Sequence, residues 1–188
     1  MSKSRSLVLI RGLSGSGKTW LAESLVGDSD FRVMICADDF FISEDGEYEF
    51  DHTRIKEAHE WCISETKELI SDEEIEMICV HNNFSRKWEA EPYFNMAKEC
   101  GIDVQVVTLY DSGMNDRALS ERSPHNISEK AVQKQRHQWE LDVHPHRNSK
   151  PKRPQKMNQN TRYLVFYDEA PQYHHNQYPQ KRRSNKNY

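Results

Sequence analysis

The chain has 188 residues and a formal net charge of −4, with 36% hydrophobic and 10% aromatic side chains. That is enough apolar material for one packed domain, and no apolar run approaches the ~18 residues that a membrane-spanning helix needs. Residues 1–6 lack the apolar stretch of a secretory signal, so the expected address is intracellular, cytoplasmic with the nucleus open to it. Cys36, Cys62, Cys79 and Cys100 are far apart and form no C-x-x-C pair, which points to reduced thiols rather than a zinc site or a disulfide framework.

In chain order, residues 7–10 (Leu-Val-Leu-Ile) are expected to form a buried strand. Behind it comes Gly12-Leu13-Ser14-Gly15-Ser16-Gly17-Lys18-Thr19, the pattern of a phosphate-binding loop, and a helix is expected over 18–26. Residues 32–36 should be the second strand, ending at Asp38 and Asp39. Apolar positions Ile55, Ala58, Trp61, Cys62, Leu69 and Ile70 suit an amphipathic helix over 52–70. A third strand over 76–80 precedes a helix over 88–100, expected to be interrupted early by Pro92 and stopped by Gly101. Residues 104–109 complete the strands. Two polar helical pieces, 115–122 and 127–143, are expected over a cleft, with Trp61 and Trp88 in the core. Strand alternating with helix at this spacing makes the fold class α/β, a parallel, doubly wound sheet flanked by helices.

Beyond this domain, taken as 1–147, the composition changes. Residues 148–188 hold nine basic side chains against two acidic ones and are rich in Asn, Gln and Pro, while 1–147 carry 17 basic and 28 acidic. The expectation is an acidic folded body with a disordered basic tail able to touch nucleic acid or a protein partner. Residues 163–167 (Tyr-Leu-Val-Phe-Tyr) are the one tail segment apolar enough for an edge strand.

Each residue type in the loop has a task. The glycines let backbone N–H groups surround a phosphate, Lys18 brings a point charge to the β and γ oxygens, and the Thr19 hydroxyl suits Mg²⁺. The expected cofactors are therefore ATP and Mg²⁺. Asp38 and Asp39 sit at a strand's carboxyl end, where ligands of open parallel sheets bind. One carboxylate there can accept the proton of an attacking hydroxyl while the other helps with magnesium or with the local fold.

These residues resemble a known family, the P-loop kinase domains related to phage polynucleotide 5′-kinase, and within it the Nedd-four-binding-protein-two-like branch. The likeness lies in Arg11-Gly12-Leu13 with Gly15 to Thr19, Asp38-Asp39-Phe40-Phe41, residues 44–50, Glu57-Ala58-His59-Glu60-Trp61, and Trp88-Glu89 with Pro92-Tyr93 and Met96-Ala97, and covers roughly 6–145. The resemblance implies an α/β fold with a P-loop kinase-like parallel sheet flanked by helices, and a γ-phosphoryl transfer to a hydroxyl, with nucleic-acid 5′ ends as acceptor, Asp38 as the activating carboxylate and Arg122 as a lid charge. Two departures stand out. His81 replaces the acid usual after the third strand, and Arg122 lies beside Glu121 where the branch has adjacent arginines. A neutral imidazole is a poor ligand for hard Mg²⁺. Two alternatives follow, a catalytically impaired ATP-binding interaction module and a small-molecule kinase on the same scaffold.

Overall fold

The computed structural model describes residues 5–125 and 127–143. The predicted tail and its apolar segment 163–167 therefore lie outside the described residues. Four strands, β1 (Ser6–Gly12), β2 (Arg32–Ile35), β3 (Met77–Val80) and β4 (Asp103–Leu109), form one sheet in the order β2-β3-β1-β4, and every pairing is parallel. β1 is central, with Leu7 opposite both Ile78 and Val104.

Strand alternation sends successive β1 side chains to opposite faces. Leu7 and Leu9 belong to the larger core, with Ala58 and Cys62 of α2 (Ile55–Ser71) and Tyr93 and Ala97 of α3 (Lys87–Cys100). Val8 and Ile10 face Leu21 and Ala22 of α1 (Lys18–Val26) on the other side. A strand buried on both faces explains the uninterrupted apolar run 7–10.

Three expectations are corrected. Pro92 lies inside α3, which continues without interruption to Gly101, its left-handed cap at φ 66°. Trp88 is 61% exposed rather than in the core. α3 buries Ala90, Tyr93 and Ala97, and Trp88 falls off that stripe. The last helical piece is α5 (Glu129–His137), shorter than the predicted 127–143.

The reason for its early end is Arg11. This residue is 1% exposed on the central strand, and its guanidinium lies 4.0 Å from the centroid of the Trp139 ring while Nη2 donates to the Glu140 carbonyl at 2.7 Å. Cation–π stacking and that hydrogen bond offset part of the cost of burying the charge. Glu140 further accepts from the Lys87 N–H, and Val143 is 1% exposed in the main core. Residues 138–143 are recruited into the fold.

Candidate functional site

The phosphate loop joins β1 to α1. Gly15 (φ 77°) and Gly17 (φ 92°) adopt left-handed backbone, which side-chain-bearing residues rarely do. A Cβ on Gly15 would stand 2.1 Å from the Leu119 carbonyl oxygen, because α4 (Asp116–Arg122) packs directly on the loop. Gly17 caps α1 without any side-chain hydrogen bond. The N–H groups opening that helix are thus left for an anion. Leu13 is buried beside Leu119 and Val132, anchoring the loop in a third core under α4 and α5.

Lys18 Nζ donates to the carbonyls of Gly12 and Leu13 at 3.0 Å each and to Asn83 Oδ1 at 2.9 Å. Burial pushes its pKa down to about 8, against the opposing pull of the negative Asp38. Thr19 is exposed at the start of α1. A loop held in shape by glycines, with an uncapped helix and a nearby lysine, fits the phosphates of a nucleotide. No cluster of three or more His, Cys, Asp or Glu among the described residues could hold a metal ion. A Mg²⁺ ion would accordingly be held by Thr19 together with the nucleotide and water, as suits an ion that dehydrates reluctantly.

The two adjacent aspartates separate in role. They lie in a short 3₁₀ segment, Ala37–Phe41, after β2. Asp39 Oδ2 accepts from the Cys36 N–H at 2.8 Å and so closes that turn. Asp38 is turned outward, with a side chain 49% exposed. Its Oδ1 accepts from the Tyr48 hydroxyl at 3.4 Å, and its Oδ2 lies 3.8 Å from His125 Nε2. The His125 and Tyr48 rings are in contact, with centroids 4.6 Å apart.

His81 follows β3 and is 5% exposed. Its Nε2 has no hydrogen-bond partner among the described residues. Burial first, and then the charge of Lys18, lower its pKa to about 4, so the ring is neutral at pH 7. Neither property suits a magnesium ligand. Arg122 ends α4 and is exposed, its Nη1 donating to Met114 Sδ at 3.1 Å.

Sequence reasoning missed four residues. Asn83 ties Lys18 to the loop, its carbonyl accepting also from the Gly12 N–H at 3.3 Å. The next residue, Phe84, has φ 45°, a left-handed backbone that side-chain-bearing residues rarely adopt, and its ring packs on Tyr93. Gln135 of α5 grips the loop from the other side, accepting from the Ser14 N–H and donating to Ser14 Oγ, both at 3.0 Å. Arg136 pairs with Asp111 and Asp116, joining α5 to the end of β4 and to α4. With His125 these contacts span tens of residues, and no local pattern announces them.

A phosphate loop between a central parallel strand and a helix, with an outward carboxylate after β2, two positions from β1 in the sheet, defines a P-loop kinase-like protein. More specifically, the AAA domain family model AAA_33 matches residues 7–141, and the chain belongs to that family. It is 39% identical over 93 residues to NEDD4-binding protein 2 of Homo sapiens, a match covering 50% of this chain and 5% of that protein. The fold is similar to a chain of the Pnkp1/Rnl/Hen1 RNA repair complex, with TM-score 0.56, 16% identity and coverage of 73% of this chain and 45% of that one. It is also similar to a Chloroflexus aurantiacus protein taken to be a kinase, with TM-score 0.52, 16% identity and coverage of 70% and 76%. The P-loop kinase-like sheet expected from the sequence is thereby confirmed.

Proposed function

We propose that this chain is an ATP-dependent kinase that transfers the γ-phosphoryl group to a hydroxyl, the hydroxyl of a nucleic-acid 5′ end. The observation that carries the reading is the division of labour between the two aspartates: Asp39 closes its own turn, and Asp38 is presented to solvent within the electrostatic field of Lys18. The loop N–H groups and Lys18 bind the nucleotide, and Arg122 supplies a lid charge from the end of α4. Asp38 takes the hydroxyl proton as the acceptor oxygen bonds to the γ-phosphorus and the bond to the ADP oxygen breaks. Magnesium, when bound, neutralises phosphate charge.

The test is Asp38→Asn. We expect unchanged ATP affinity by calorimetry and a turnover lowered ~10²-fold or more. Equal turnover would remove Asp38 from the mechanism. A second reading, an ATP-binding interaction module without transfer, is favoured by one observation, the buried and neutral His81 at the position where the family resemblance implies an acid. It predicts that ATP raises the melting temperature by mass action, through Lys18, with no acceptor labelled.

A further inference from the structure

An aromatic surface runs outward from Asp38 and the phosphate loop makes no use of it. Tyr48, whose hydroxyl donates to Asp38, lies nearly parallel to Phe50, at an interplanar angle of 12° with centroids 6.3 Å apart. Phe41 meets Phe50 edge-on at 5.0 Å. Phe41 is 5% exposed, whereas Phe50 is 54% exposed. Two rings therefore fix Phe50 from the protein side and leave much of it open to solvent. Beside it, Phe40, Phe41, Ile42, Ser43, Glu49 and Arg54 line a cleft of about 170 Å³, and the Arg54 guanidinium stands 4.5 Å above the Phe40 ring.

We infer that Phe50 is a stacking platform for a planar ring that the acceptor carries next to its reactive hydroxyl, which is the chemistry of a nucleobase on a terminal nucleoside. The inference rests on the reading of Asp38 as proton acceptor. An aromatic face attracts a flat π-system offset over it. The ring left open beside Asp38 is Phe50, backed by Tyr48 and Phe41, while Ser43, Glu49 and Arg54 of the adjoining cleft offer polar contacts to the sugar that a terminal nucleoside carries with its base. The Tyr48 hydroxyl ties the wall to the reacting carboxylate, so a ring seated on Phe50 is bound as part of the acceptor. The acidic balance of residues 1–147 repels a long polyanion. Recognition at this site then depends on the terminal base, and any contact that the basic residues 148–188 make with phosphates is the salt-sensitive part of binding and is the same with and without that base.

The experiment measures binding of short 3′-fluorescein, 5′-hydroxyl oligonucleotides by anisotropy, with the full chain as wild type, Phe50→Ala and Phe50→Trp. A matching oligonucleotide lacks the 5′-terminal base. Phe50→Ala should weaken binding ~10-fold, Phe50→Trp should retain it, and removing the terminal base should weaken the wild type but not Phe50→Ala further. The melting-temperature rise on adding ATP should be the same in all three. Equal affinity of Phe50→Ala and wild type, or indifference to the terminal base, would overturn the inference. No binding by the wild type would also overturn it. Binding through Phe50 without phosphoryl transfer contradicts the kinase reading and leaves the platform standing; transfer with undiminished kcat/KM in Phe50→Ala does the reverse.

Discussion

Lys18 is a basic residue held partly out of water among carbonyls, and its depressed pKa of about 8 has a consequence for nucleotide binding. In the free protein the ammonium loses its proton above about pH 8, whereas phosphates hold it charged. ATP affinity should thus be constant below that pH and fall by up to ~10-fold per unit above it, with proton uptake on binding. Calorimetry in two buffers of different ionisation enthalpy detects that proton, and Lys18→Arg should abolish the uptake. His81 makes a second case. Its folded pKa, about 4, lies below the ordinary 6.5, so the unfolded state binds more protons between those values. Stability contributed by keeping this ring neutral is present above about pH 6.5 and is lost as pH falls toward 4, by ~3 kcal/mol in full. Chemical denaturation at pH 7 and 4.5 should show a smaller loss for His81→Gln than for the wild type.

At the level of elements, the phosphate loop is held from two sides by segments distant in sequence. Asn83 after β3 takes Lys18 and Gly12, and Gln135 of α5 takes the backbone N–H and the Oγ of Ser14. Gln135→Ala should cost ~1–3 kcal/mol through two lost hydrogen bonds, one of them leaving the Ser14 N–H unpaired. It should also weaken ATP binding, since α5 would no longer hold the loop; a melting curve with and without ATP separates the two effects. The loop itself was legible in the sequence because its chemistry is local, glycines and a lysine within eight residues of a buried strand. Its supports were not. Asn83, His125, Gln135 and Arg136 act across tens of residues, and polar residues in loops or on polar helices have no periodic signature. Trp88 was misjudged because a tryptophan near an apolar stripe reads as core, while the structure uses Ala90 and Ala97 to bring α3 close to the sheet.

For the whole molecule, residues 138–143 after α5 are part of the packed body. The predicted long helix over 127–143 fails there because Arg11, a charge buried in the central strand, requires the ring of Trp139 and the carbonyl of Glu140. Periodicity cannot register such a demand, although the residues that meet it lie within the predicted span. Truncation after Val143 should preserve the fold. Truncation after Gln138 removes Trp139, Glu140 and Val143 together, and with a buried charge left unpaired it should cost upwards of ~3 kcal/mol. Urea denaturation of the two truncated proteins compares them directly.

The central claim is that Lys18 and Asp38 serve one phosphoryl transfer, and it is tested most directly by incubating the protein with Mg²⁺ and γ-labelled ATP, with and without 5′-hydroxyl DNA and RNA oligonucleotides. Label on the oligonucleotide that disappears in both Lys18→Ala and Asp38→Asn is the predicted result. No label, with ATP still raising the melting temperature through Lys18, would contradict the kinase and leave a nucleotide-binding module.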